Sequence, residues 1–112
     1  MMALWRRSQV QKTKSATFIG FAVRSGKYRV GTNSLATIKK ANLIIVCKTA
    51  SENTCKLAKK YASRYSCPAI KTQTNTLDEL IFRENVKIMA ITDYSLAKAI
   101  LENISEDFIC EF

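Results

Sequence analysis

Leu43-Ile44-Ile45-Val46-Cys47 is an unbroken apolar run near the middle of a 112-residue chain. A strand with one wet face alternates polar and apolar side chains. A run that is apolar at every position is buried on both faces and requires helices above and below its sheet. Val86 to Ile91 is a second buried run, and the two are expected as adjacent central strands. Directly after the first run, Thr49-Ala50-Ser51-Glu52 fits a capping box and opens a helix to about Tyr65. Cys55, Ala58, Ala62 and Tyr65 recur there at helical spacing. Lys56, Lys59, Lys60 and Arg64 lie elsewhere on its surface, as a solvated face or an RNA-touching one.

Upstream, Ala16 to Arg24 reads as a short buried helix stopped by Gly26. Tyr28 and Val30 alternate with Lys27 and Arg29 as in a strand, Gly31 makes a turn, and Ser34 to Lys40 reads as a short helix with Leu35 and Ile38 inward. Downstream, Pro68 leads into the short strand Ala69-Ile70-Lys71, and Thr72 to Asn75 form a polar loop. Thr76-Leu77-Asp78-Glu79 is another capping box, starting a helix through Phe82. Thr92 or Asp93 caps a last helix with Leu96, Ala97, Ile100 and Leu101 on its apolar side. Regular alternation of helix and strand implies a three-layer α/β/α sandwich on four short strands. Residues 1–14 read as a basic flexible arm carrying a lone Trp5, 15–104 as one domain, and 105–112 as an acidic tail, peripheral to the fold.

The formal charge is +9, unevenly spread: residues 1–51 hold ten lysines and arginines and no acid, whereas Glu102, Glu106, Asp107 and Glu111 crowd the C-terminus. Residues 1–100 thus carry +13, which favours a polyanionic partner, nucleic acid before membrane. Cys47, Cys55, Cys67 and Cys110 form no Cys-x-x-Cys pair, and the chain has no histidine to complete a zinc site or act as a base. They read as small apolar residues in a reducing compartment, with no metal and no cofactor implied. Carboxylates are too few and scattered for acid–base catalysis, and Cys47, the best-placed thiol, reads as structural. Arg24 to Gly31 matches neither a Walker loop nor a dinucleotide fingerprint. With no secretory leader and no membrane-spanning apolar run, a cytoplasmic protein is expected.

Within the acid-free half, Arg29-Val30-Gly31-Thr32-Asn33-Ser34 takes a strand end into a helix start. Backbone N–H groups at a helix start lack internal partners and suit an anion. The same residues also read as an ordinary helix start, capped by Asn33 or Ser34.

Gly20-Phe21-Ala22 followed by a basic stretch to Gly31, the strand Leu43 to Val46, Ala50-Ser51-Glu52-Asn53-Thr54, Cys67-Pro68-Ala69 and the run Ile91 to Leu101 stand in an order and spacing that resembles a known family. It is that of the small kink-turn RNA-binding ribosomal proteins of the L-seven-Ae and L-thirty-e fold, and within it the bacterial YlxQ-type proteins. The resemblance covers about Thr17 to Leu101 and implies a mixed central sheet. In RNA-binding members a Gly-x-Asn-Glu segment opening the second helix grips tandem sheared G·A pairs, helped by a lysine three residues later. Gly31, Thr32 and Asn33 match that pattern; Ser34 stands at the glutamate and Thr37 at the lysine. The loop after the third strand, which packs on flipped-out nucleotides in the family, would be Thr72, Gln73, Thr74 and Asn75. The next helix begins Leu77-Asp78 where relatives have Leu-Gly.

The expected function is non-enzymatic binding of structured RNA, ribosomal or kink-turn-like, by a monomer with no small-molecule substrate. Asn33 would meet a base edge, Gly31 would permit close approach, and Lys27, Arg29, Lys39 and Lys40 would meet phosphates. The alternative, favoured by Ser34, Thr37 and Asp78, is a protein-interaction or assembly module of the same fold that has lost kink-turn recognition.

Overall fold

Leu43–Val46 forms a strand (β2) with every side chain fully buried, as its unbroken apolar run requires. Burying such side chains contributes about 1.5–3 kcal/mol each. The computed structural model describes residues 14–73, 81, 86–104 and 108–110. The elements before and after β2 are helix α1 (Lys14–Ser25), strand β1 (Tyr28–Val30), helix α2 (Thr32–Thr37), helix α3 (Glu52–Tyr65), strand β3 (Ala69–Thr72), strand β4 (Ile88–Ile91), helix α4 (Tyr94–Glu102) and strand β5 (Phe108–Cys110).

The strand order is β1-β4-β2-β3-β5. β2 pairs with β4 antiparallel, Leu43 opposite Ile91, so the two buried runs are adjacent and central as expected. β2 and β3 are parallel, whereas β1–β4 and β3–β5 are antiparallel, which makes the sheet mixed. β1 and β2 point the same way on either side of β4. The steps β1-α2-β2 and β2-α3-β3 therefore advance in one direction, and right-handed crossovers put both helices on one face. That face packs Leu35, Ala58, Tyr61 and Ala62 against Ile44, Val46, Ile88 and Ala90. The other face packs Ile19 and Ala22 of α1, Ala97 and Ile100 of α4, and Ile81 against Leu43, Ile45, Ile70, Met89 and Ile91. The three layers of the α/β/α sandwich are thereby complete.

Several boundaries differ from expectation. Phe108–Cys110, inside the segment read as an acidic tail, pairs with β3 and adds a fifth strand at the sheet edge, with Phe108 buried. The second helix spans Thr32–Thr37, not Ser34 to Lys40, and Ile38 turns extended to end it. The cap of α3 is Ser51, whose side chain accepts from the Thr54 N–H, not Thr49. Asp93 caps α4, accepting from the Leu96 N–H at 2.9 Å. Gly26 ends α1 with φ +73°, a left-handed backbone that suits glycine. The helix expected over 76–82 lies outside the described residues apart from Ile81, and the arm before Lys14 lies outside them entirely.

Candidate nucleic-acid interface

Gly31 ends β1 and begins α2. Its N–H donates to the Ile88 carbonyl at 3.1 Å, completing the sheet, and its own carbonyl accepts from the Leu35 N–H at 3.1 Å, opening the helix. Both roles fall on one residue only because the backbone turns sharply there, at φ +87°, where any side chain would be strained. Gly31 is therefore the N-cap, with no side-chain cap bond, and the expectation of a cap at Asn33 or Ser34 is overturned. Asn33 stands in the first turn, exposed, and hydrogen-bonds to nothing among the described residues.

A six-residue helix is too short to hold itself together. Three groups hold α2. Leu35 is fully buried beneath it. The Tyr65 hydroxyl reaches the Leu35 and Ile38 carbonyls, at 2.6 and 3.0 Å. The Tyr61 hydroxyl donates to the Thr32 carbonyl at 3.4 Å. Thr37 turns its hydroxyl back to the Ser34 carbonyl at 3.1 Å, so it points no polar group outward as a lysine would.

The strand registers decide which candidate residues meet. The C-terminal ends of β1, β2 and β3 lie at one end of the sheet, beside the start of β4. Gly31, Thr32, Asn33 and Ser34 stand there after β1, and Thr72 and Gln73 at the end of β3. Three strand spacings separate them, about 14 Å. Thr74 and Asn75 lie outside the described residues. Between the two segments sit residues that sequence reasoning missed. Lys48, Thr49 and Lys87 are exposed. The Lys48 N–H donates to Thr72 Oγ1 at 2.8 Å, and Lys87 Nζ donates to Thr49 Oγ1 at 2.8 Å. Buried Cys47 places its Sγ 3.1 Å from the same Thr49 oxygen. The available signal was positional: ligands of α/β sheets gather beyond the C-terminal ends of strands, where Lys48 and Thr49 follow β2.

The remaining basic candidates fall elsewhere. Lys27 precedes β1 and Lys39 and Lys40 precede β2, so all three stand toward the opposite end of the sheet. Lys27 is four residues from Gly31 along an extended strand, about 13 Å away. Its Nζ lies 3.8 Å from Asp93 Oδ2. Arg29, exposed on edge strand β1, bonds the Tyr28 carbonyl at 2.7 Å. The expected phosphate contacts therefore do not surround Asn33; Lys48 and Lys87 share its end of the sheet instead.

Burial pushes the Cys67 thiol up to about 11, which leaves it protonated and unreactive at neutral pH. No helix among the described residues is long and apolar enough to cross a membrane.

No family model matches the chain. A curated relative, the RNA-binding protein YlxQ of Enterococcus faecium, is 31% identical over 96 residues, covering 83% of this chain and 93% of that protein. The chain belongs to the YlxQ family, on the L-seven-Ae/L-thirty-e fold. A solved structure of a protein of unknown function from Bacillus halodurans C superposes with a TM-score of 0.69 at 16% identity, over 81% of this chain and 96% of that one. At that identity the likeness concerns the fold alone. Family membership gives the Gly31 edge its interest. The glycine and asparagine expected of an RNA-binding member are in place and exposed, and two of the family's expected side chains are replaced by Ser34 and Thr37.

Proposed function

We propose that this YlxQ-family protein is a non-enzymatic, monomeric, cytoplasmic binder of structured RNA, ribosomal or kink-turn-like. RNA would lie across the sheet end formed by Gly31 to Ser34, Lys48, Thr49, Thr72, Gln73 and Lys87. The observation that carries this reading is topological. The strand order β1-β4-β2-β3 brings the Gly31 turn and the Thr72 loop to one end of the sheet, with two lysines between them. Asn33 would read a base edge, and Lys48 and Lys87 would hold phosphates, which position RNA without choosing its sequence. The relative's description as an RNA-binding protein supports the same reading. The second reading, a protein-interaction module on the same fold, is favoured by Thr37, whose hydroxyl is spent on its own helix.

Salt dependence separates the two. RNA binding through roughly three to six phosphate contacts gives a slope of log K against log[salt] of about −2 to −5. Changing Lys48 and Lys87 together to alanine should flatten it by about 1.5. A slope near zero, or no RNA binding at low salt, would leave the protein-interaction reading standing.

A further inference from the structure

The two helical layers differ sharply in charge. From Gly31 to Ser66, the stretch that supplies α2 and α3, the chain holds seven lysines and arginines and one acid, Glu52. On the other layer, α1 and α4 with the capping Asp93 hold Lys14, Arg24 and Lys98 against Asp93 and Glu102. Within the basic layer the charge is ordered. Lys56, Lys60 and Arg64 stand four residues apart on α3, and all three are exposed. Side chains at that interval lie one above another on one helix face, about 6 Å apart along the axis. Glu52 lies 3.9 Å from Lys56, at the foot of the row. Lys60 and Arg64 continue it, and like charges at this spacing destabilise a helix. Folding therefore gives no reason for the row.

The row also has a direction. α3 returns from the C-terminal end of β2 to the start of the parallel strand β3, so Lys56 lies toward the Gly31 end of the sheet and Arg64 toward the other. There the Tyr65 hydroxyl bonds the Ile38 carbonyl at 3.0 Å, which sets the last turn of α3 beside exposed Lys39 and Lys40. The row thus runs about 12 Å from the end that holds Lys48 and Lys87 to the end that holds Lys39 and Lys40.

Its chemistry selects an occupant. Tyr61 is buried and Tyr65 is half-buried with its hydroxyl spent on α2, so the outer face of α3 offers cations and no exposed ring on which a base would stack. A lipid surface would take apolar side chains as well. The large apolar side chains that stand exposed among the described residues, Phe21 and Tyr94, belong to α1 and α4 on the opposite layer. An evenly spaced row of cations on a rigid helix complements a regular line of phosphates.

We propose that the outer face of α3 holds the sugar–phosphate backbone of a base-paired RNA stem that continues from the element at the Gly31 edge. The inference rests on the RNA reading of that edge and extends it. The edge chooses the RNA, and the helix face adds affinity without choosing, as phosphate contacts do.

The test follows binding of the full chain by fluorescence anisotropy across a salt series. Two RNAs carry the same tandem sheared G·A pairs, one with stems just long enough to close and one with stems extended by a helical turn; a third is a plain duplex. The variant changes Lys56, Lys60 and Arg64 together to glutamine, a good helix former. Its control changes Lys14, Arg24 and Lys98 to glutamine, the same loss of charge on the opposite layer. Extended stems should tighten binding and steepen the salt dependence for the native chain and the control. For the α3 variant the slope on the extended RNA should be shallower by about 2 to 2.7, at about 0.7–0.9 per phosphate contact. That variant should keep its preference for the sheared pairs over the plain duplex and melt no lower than the native chain. The proposal is overturned if the native chain gains nothing from the extended stems, if the α3 variant gains as much as the native chain, or if the control loses as much as the variant. Any of these results, with binding still weakened by changing Lys48 and Lys87 to alanine, leaves the Gly31 reading intact. Absence of binding to all three RNAs at low salt removes both.

Discussion

Replacing Asn33 by alanine separates recognition from folding, because the structure assigns Asn33 no part in folding. The residue is exposed in the first turn of α2, the N-cap role belongs to Gly31, and no described partner accepts or donates to its amide. Removing it therefore costs no hydrogen bond. Alanine is the better helix former by up to about 0.5 kcal/mol, which at about 4 °C per kcal/mol for a domain of this size raises the melting temperature by about 2 °C or leaves it unchanged. Had Asn33 been a cap, alanine would cost about 1 kcal/mol and lower it by about 4 °C. On the RNA side, a base-edge contact by an amide is worth roughly 1–3 kcal/mol, a loss of about 5- to 150-fold in preference for the target. The assay pairs a calorimetric melt with fluorescence anisotropy against two RNAs, one carrying tandem sheared G·A pairs and one a plain duplex. The expected result is an unmoved or slightly raised melting temperature and a collapsed preference. A drop of about 4 °C with preference intact would refute the placement of the cap at Gly31, and an unchanged preference with an unchanged melt would refute the base contact.

Tyr65→Phe removes the hydroxyl that holds the Leu35 and Ile38 carbonyls, and should cost about 1 kcal/mol, read as a melting temperature lower by about 4 °C. Ser15→Ala should cost about 1–2 kcal/mol by the same melt, because the fully buried Ser15 hydroxyl bonds the Ile100 and Asn103 carbonyls at 3.2 and 2.8 Å and ties α1 to the end of α4. Burial raises the Cys67 thiol from 9.0 to about 11, so at pH 8 it should alkylate more slowly than an unperturbed thiol, by about tenfold once the greater nucleophilicity of a high-pKa thiolate is allowed for, as read by mass spectrometry of trapped peptides. The sign for stability follows: the folded state favours the neutral thiol, so this contribution is intact below pH 9.0 and fades as pH rises toward about 11.

The sequence made the central sheet legible for a specific reason. A run such as Leu43 to Val46 has one solution, burial on both faces, and β2 is fully buried on both. Ends and edges were harder. Phe108-Ile109-Cys110 is three residues long and stands between Asp107 and Glu111, and such charged flanks are how edge strands are protected from further pairing. In composition it is a tail, and its pairing with β3 is set by a distant partner. Thr49 looked like a cap because its spacing to Glu52 was right. Its hydroxyl is instead engaged by Lys87 and faces Cys47, and Ser51 takes the helix. Tyr61 stands outside the set Cys55, Ala58, Ala62 and Tyr65 that helical spacing picks out. It is buried against the sheet and sends its hydroxyl to Thr32.

Strand order explains why the candidate site was only half legible. Gly31 and Asn33 could be picked out locally, since one turn of chain contains them. Which lysines accompany them depends on β1, β2 and β3 pointing the same way, a long-range fact. The acid-free first half looks in sequence like one positive seat. In the fold it divides, with Lys48 at the Gly31 end and Lys27, Lys39 and Lys40 toward the other, about 13 Å along β1. A nucleic-acid strand needs several nucleotides to span that distance. An RNA shorter than this can engage one end of the sheet only, and its salt dependence must be correspondingly shallow. An RNA long enough to run past edge strand β1 would meet exposed Arg29 on the way and draw on the lysines of both ends. On the proposed reading, charge that looked like a single site would act as a track, whose contribution to affinity would grow with the length of the RNA while Asn33 at one end would decide which RNA is preferred.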